Sequence, residues 1–295
     1  MNILLKYKNK TNQNEKLCDD LKIIEETHKN FFLNGIHSKE YEIINTISVK
    51  HDRSIHIIKK NDVKYILKIK TAQNDNIFEK HICFILSQRY HENVIKFIDY
   101  IQEENFHYSI YEYFEGKNLC SYIKKNKNIT DTQLKNIIIQ ITHGMNFLHS
   151  HNIIHCDLKL DNIIINNKNE IKIIDFDLSI ISDNIDGHIS NNIFGTMQYI
   201  APESYDLCIY SKKTDVWQIG IILYILITKQ FPYQNEITSN NSHSNLCRQN
   251  MFKHIDLQLA KNKHCDNTLY EILEGSLSFT DNTRMTINDI LKKLI

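Results

Sequence analysis

His155-Cys156-Asp157-Leu158-Lys159-Leu160-Asp161-Asn162 is a polar loop set between apolar runs, and Asp175-Phe176-Asp177 follows it closely. A helical pattern from Leu134 to His149 leads into the loop, and a strand-like run, Ile163 to Ile165, leads out. One short segment therefore carries a carboxylate, an ammonium and an amide oxygen, on Asp157, Lys159 and Asn162. A second apolar run, Ile171 to Ile174, ends at Asp175, so a hairpin of two short strands returns that carboxylate beside Asn162. Such a pair suits Mg²⁺, which takes few protein oxygens and completes its shell with phosphate and water. An aspartate able to orient a hydroxyl next to a metal-bound phosphate reads as phosphoryl transfer.

A turn that is polar only because it is solvated is the competing reading, and it is enough for Asp161 or Lys172 taken singly. It does not account for the ordered set H-x-D-x-K-x-x-N followed by D-F-x, whose members have defined roles around a nucleotide and its metal. On these motifs the chain resembles the eukaryotic-type serine/threonine protein kinases. The resemblance implies an α+β, bilobal fold with a small five-stranded β lobe, one main helix in that lobe, and a larger, mostly helical lobe. It implies ATP and Mg²⁺ as cofactors and protein substrates modified on Ser or Thr. Asp157, Lys159 and Asn162 become catalytic, and Asn162 and Asp175 become metal ligands.

The 295 residues suffice for two lobes with a short N-terminal extension. Lys and Arg number 35, balanced by 35 Asp and Glu, so no net field favours nucleic acid or an anionic membrane. The longest apolar stretch, Val216 to Ile227, is too short to span a bilayer and reads as a buried helix. Seven scattered cysteines without C-x-x-C spacing look like reduced thiols. With no N-terminal signal pattern, a cytoplasmic location is expected, with the nucleus as the other reducing compartment.

Residues 1–40 read as an extension holding a helix over 17–34, where Leu17, Leu21, Ile24, His28 and Phe31 recur at helical spacing. It either docks on the small lobe or engages a regulatory partner. Residues 41–111 fit the small lobe, with three strands between Tyr41 and Ile69, a helix over 74–87, and strands Ile95 to Ile101 and Tyr108 to Tyr113. The hinge falls at 112–118 and the large lobe at 119–295, with an activation segment at 175–203. A capping box at Thr130 and Gln133 opens the long helix, and Thr286-x-x-Asp289 opens the final one.

The remaining nucleotide contacts rest on the resemblance. Ile66-Leu67-Lys68 matches the strand whose lysine holds the α/β-phosphates, and Glu79 is the best partner glutamate for Lys68, since the family's usual spacing falls on Ile82. Ile47, Ile55, Ile66 and Ile164 line the adenine slot, with Tyr111 as gatekeeper, Glu112 and Phe114 at the hinge and Asn118 just beyond it. Gly195-Thr196-x-x-Tyr199-x-Ala201-Pro202-Glu203 resembles the substrate-facing end of the activation segment, with Thr196 bridging Asp157 and Lys159. Glu203 pairs with Arg284 in that pattern, and Asp215-x-Trp217-x-x-Gly220 resembles the helix that anchors the catalytic loop.

Three departures from the family pattern stand out. The G-x-G-x-x-G loop falls on Ser48-Val49-Lys50-His51-Asp52-Arg53, without a glycine, so it must hold phosphate differently, through Lys50 or Arg53, or hold it poorly. Asp177 replaces the glycine of D-F-G. Cys156 replaces the arginine that pairs with a phosphorylated activation loop, so loop phosphorylation is not expected to be the main switch. An active serine/threonine protein kinase is thus the leading expectation, and a pseudokinase acting as scaffold or allosteric regulator is the alternative.

Overall fold

The computed structural model describes residues 41–71, 77–103, 105–126, 128–184, 187–232, 255, 257–263 and 265–295. The helix expected over 17–34 and the Ser/Asn-rich loop at 234–244 lie outside the described residues. Two compact units result: the segment up to Asp75 with Lys96–Tyr113, and Asn76–Ile95 with Phe114–Ile295.

The first unit is an antiparallel sheet of β1 (Glu42–Val49), β2 (Arg53–Lys60), β3 (Val63–Thr71), β4 (Phe97–Gln102) and β5 (Phe106–Glu112), in the order β1-β2-β3-β5-β4. Residues of alternating burial along β2 put Ser54, His56 and Ile58 on the inner face. The core on that face is Ile58, Leu67, Ile69, Phe106, Tyr108 and Ile110. His56 is tolerated there because Ser54 Oγ lies 2.8 Å from one ring nitrogen and Thr46 Oγ1 lies 3.1 Å from the other. Asn61 and Asp62, both at positive φ, close β2 to β3 as a two-residue hairpin, a backbone that Asn and Asp accept readily.

The second unit begins with α1 (Ile77–Gln88) and continues with β6 (Lys117–Asn118), α2 (Leu119–Lys125), α3 (Asp131–Ser150), β7 (Ile153–Ile154), β8 (Ile163–Ile165), β9 (Ile171–Ile173) and β10 (Ile180–Ile181). After these come β11 (His188–Ile189), α4 (Pro202–Leu207), β12 (Ile209–Tyr210), α5 (Lys212–Thr228), α6 (Gln258–Asn262), α7 (Asn267–Ser276) and α8 (Ile287–Leu294). The expected capping boxes are present at Thr130/Gln133 and Thr286/Asp289. In α5 every residue from Thr214 to Leu226 is buried, so the apolar run is the helix at the centre of this unit. Among the described residues no helix is long and apolar enough to cross a membrane.

The five-stranded sheet and the helical body make the expected α+β protein-kinase fold. Some boundaries moved: the strand read from Ile95 starts at Phe97, and the strand read from Tyr108 starts at Phe106. Asn93 and Ile95 instead exchange main-chain hydrogen bonds with Ile173 of β9, at 2.8 and 2.9 Å, which fixes that stretch to the second unit.

Candidate active site

The β8–β9 hairpin sets the site's frame. Ile163, Ile164 and Ile165 pair with Ile173, Lys172 and Ile171, and the Ile174 N–H donates to the Asn162 carbonyl at 2.9 Å. The chain then reaches Asp175, which has φ of 69°, a left-handed backbone that a non-glycine residue holds only where its surroundings impose it. Asp175 is thereby returned next to the strand that begins beyond Asn162.

Within the loop, Lys159 Nζ donates to Asp157 Oδ2 at 2.6 Å and to Thr196 Oγ1 at 2.7 Å. The Thr196 N–H donates to Asp157 Oδ1 at 2.8 Å, so Asp157, Lys159 and Thr196 form a closed triangle. The Asn162 Nδ2 donates to the Asp157 main-chain oxygen at 2.9 Å and to Oδ2 at 3.3 Å. Spending the amide nitrogen this way leaves Asn162 Oδ1 as the atom available to a cation. One amide oxygen and the Asp175 carboxylate fit a hard, oxygen-seeking ion that brings its other ligands with it.

Asp215 of α5, wholly buried, holds the loop from below. Its Oδ2 accepts from His149 Nε2 at 2.7 Å and from the His155 N–H at 2.9 Å, and its Oδ1 accepts from the Cys156 N–H at 2.9 Å. Gln218, one turn on, accepts from the Leu158 N–H and donates to the Cys156 carbonyl, both at 2.8 Å. This clamp lets Cys156 stay at φ of 65°. Sequence reading singled out Asp215 but passed over Gln218 and His149. The available signal was a lone amide inside the apolar run Val216–Ile227.

Cys156 itself points into an apolar cluster with Ile154, Ile180 and Tyr210, against which Phe78 and Phe194 pack. Burial raises its thiol pKa well above the ordinary value. Phe194 stacks on Tyr210 with centroids 3.8 Å apart. The Tyr210 hydroxyl accepts from the Phe194 N–H at 2.7 Å and donates to the Phe194 carbonyl at 2.9 Å. Desolvation raises the Tyr210 pKa to about 12, so the hydroxyl keeps the proton this clasp requires.

The other expected residues divide between the units. In the first, Lys68 is buried on β3 opposite Ser109, Ile55 pairs with Lys68, and Ile66 pairs with Tyr111. Tyr111 is buried and meets Phe97 edge-on at 5.5 Å, while Ile47 is exposed. Glu112 Oε1 accepts the Lys96 N–H at 2.7 Å. The Ser48–Arg53 stretch closes as a tight turn, with the Lys50 N–H donating to the Arg53 carbonyl at 2.7 Å. No residue of that turn is at positive φ, so its closure does not call for glycine.

In the second unit, Glu79 is buried in the first turn of α1. Phe114 lies under the Lys172 ammonium, 5.6 Å from the ring centroid. Ile164 faces Gly116, where a Cβ would come within 2.7 Å of it, so glycine is required for that approach. Asn118 caps α2, its Oδ1 accepting the Ser121 N–H at 2.9 Å, while its Nδ2 donates to Asp161 at 3.4 Å. Glu203 and Arg284 form a two-pronged ion pair at 2.7 and 2.9 Å, with the guanidinium fully buried over Trp217.

A family model for the protein kinase domain matches residues 40–294. Calcium-dependent protein kinase 6 of Plasmodium berghei is 35% identical over 186 residues, 61% of this chain and 12% of that protein. The serine/threonine-protein kinase polo of Drosophila melanogaster is 32% identical over 206 residues, 70% of this chain and 34% of its own length. Mitogen-activated protein kinase kinase 2 of Arabidopsis thaliana is 38% identical over 125 residues, 42% of this chain and 34% of that protein. The chain spans less than half the length of these relatives. With the loop, its buried anchor and the Glu203–Arg284 pair in place, and the family model running almost end to end over the two units, the chain belongs to the protein kinase family, on the side of the eukaryotic serine/threonine enzymes that its sequence resembles.

Proposed function

We propose that this chain is an ATP-dependent serine/threonine protein kinase that moves the γ-phosphoryl group of ATP to a hydroxyl of a protein substrate. The observation that carries it is the Asp157–Lys159–Thr196 triangle. The Thr196 N–H holds one oxygen of Asp157 in a fixed place, and that carboxylate orients the incoming Ser or Thr hydroxyl and takes its proton. Lys159 lies against both Asp157 and Thr196 and offsets charge on the phosphoryl being transferred. Asn162 and Asp175 would hold Mg²⁺, which neutralises phosphate charge when bound. Lys68 steadies the nucleotide and Glu79 positions Lys68. Ile47, Ile55, Ile66, Tyr111, Glu112, Phe114 and Ile164 receive the adenine and Asn118 lies at the ribose end, with 41–111, 112–118 and 119–295 acting as small lobe, hinge and large lobe.

The apolar clasp around Cys156 supports a kinase in which phosphorylation of the activation segment, 175–203, is not the main switch. The cytoplasmic setting rests on the cysteine pattern, and the five described cysteines carry free thiols. A regulatory partner for residues 17–34 belongs to the same reading.

Purified protein with Mg-ATP and generic Ser/Thr substrates is expected to transfer phosphate, and Asp157→Asn to reduce transfer by about 10²–10⁴-fold. Equal signal from both proteins would sink the assignment. The scaffold reading keeps one support, the glycine-free turn. It predicts no rise in melting temperature with millimolar Mg-ATP, whereas a nucleotide-binding kinase is stabilised by mass action.

A further inference from the structure

A cavity of about 670 Å³ opens beside the catalytic loop in the second unit. Leu160, Asp161 and Thr196 line it, so it adjoins the residue, Thr196, that bonds both Asp157 and Lys159. Tyr199 and Phe231, edge to face at 5.6 Å, make another wall. Two cations complete the lining, Lys124 from α2 and Lys229 at the C-terminal end of α5.

Lys229 is the informative one. It caps α5 in the left-handed conformation, at φ of 63°, so its side chain leaves the helix in a set direction. Its Nζ donates to the Leu226 carbonyl at 2.8 Å, and among the described residues no carboxylate pairs with it. Partial burial lowers its pKa, as expected for an ammonium that lacks a compensating anion. Lys124 is likewise without a carboxylate partner among the described residues. The single acid on the lining, Asp161, accepts from Asn118 Nδ2 at 3.4 Å. Among the described residues the lining is therefore mostly apolar and carries two ammonium groups against one carboxylate.

We propose that this cavity receives an acidic side chain of the substrate polypeptide close to the phosphorylated Ser or Thr, with Lys229 as the main specificity-determining residue and Lys124 assisting it. The inference rests on the protein kinase reading and narrows its substrate class to acid-flanked hydroxyls. Charge complementarity of this type selects among partners more than it adds raw affinity.

The test measures binding and turnover separately. Fluorescent serine peptides carrying Glu, Gln or Arg, one at a time, at each of the three positions on either side of the serine are titrated into the full chain by anisotropy. Phosphate transfer to the same peptides is followed in parallel. At one or more positions Glu should bind roughly three- to fivefold tighter than Gln. Lys229→Glu should invert that preference toward Arg, and Lys124→Glu, on the exposed face of a short helix, should weaken it. Both variants are checked for an unchanged melting temperature. Equal binding of Glu and Gln peptides at every position, or a Glu preference that survives both substitutions, overturns the proposal. Discriminating binding without phosphate transfer supports the cavity and counts against the kinase reading. Transfer without any discrimination does the reverse.

Discussion

The catalytic loop and the nucleotide-loop turn lie in different units and obey different rules. At His155–Asn162 nearly every polar group has a directed partner: Asp215 takes two main-chain N–H groups, Gln218 takes a third and returns a donor, and Thr196 reaches back to Asp157. At Lys50–Arg53 the Lys50 N–H to Arg53 carbonyl bond closes the turn and the Asp52 carbonyl accepts the Thr71 N–H at 3.0 Å, on backbone angles open to any residue. A buried loop whose shape depends on distant side chains constrains its residue types. A half-exposed turn closed by main-chain bonds lets them drift. The family's glycines could thus be lost at residues 48–53 without disturbing the hairpin, whereas the H-x-D-x-K-x-x-N order persisted.

The comparison is tested most severely by Asp215→Ala. It leaves the His155 and Cys156 N–H groups buried without acceptors, at about 1–3 kcal/mol each, and removes the partner of His149. Denaturant unfolding should show a loss of about 3–5 kcal/mol, with phosphate transfer lost as well. A smaller change would mean that the loop holds its shape by itself. At the other region, Lys50→Ala should raise the KM for ATP roughly two- to fivefold with an unchanged melting temperature, if a cation now does what glycine N–H groups do in relatives. An unaltered KM would leave the turn without a phosphate role. His51→Gly should lower stability by no more than about 1 kcal/mol, because the turn's backbone angles are ordinary and only unfolded-state entropy is added.

The smallest effect is a pH dependence at the last capping box. Asp289 accepts from the Thr286 N–H at 2.9 Å and hydroxyl at 2.7 Å, and these bonds hold its carboxyl pKa below the ordinary 3.8. Because the folded value is the lower one, the contribution is complete above 3.8 and is lost as pH falls through the folded value. The melting-temperature gap between the wild type and Asp289→Asn should be open near neutral pH and narrow in acid below 3.8. A constant gap would remove the carboxylate from the account.

Much of the fold was legible because its signals are local. Thr130/Gln133 and Thr286/Asp289 are capping boxes within one helical turn, Leu119–Lys125 and Asp131–Ser150 follow helical periodicity, and Asn61-Asp62 is turn chemistry. Boundaries shifted where partners from elsewhere intervened. Ile95 bonds to β9 rather than opening β4, and α5 starts at Lys212 because Ser211 caps it ahead of the apolar run. Asn118, read as a nucleotide contact, also caps α2, a role that its place in the sequence did not announce. Gln218 and His149 carried no motif of their own, since a buried amide acquires its meaning only from the main chain it meets.

The sequence alone determined the order of chemical groups and the local elements that carry them: Asp157, Lys159 and Asn162 on one loop, Asp175 after the next strand, and Thr196 at the end of the activation segment. The tertiary structure decided which groups meet. It set Lys159 against both Asp157 and Thr196, placed Asp215 and Gln218 under the loop, and filled the space beside Cys156 with Tyr210, Phe194 and Phe78. Hydrogen-bond and packing partners far apart in the chain are selected by three-dimensional geometry, which no periodicity or spacing encodes.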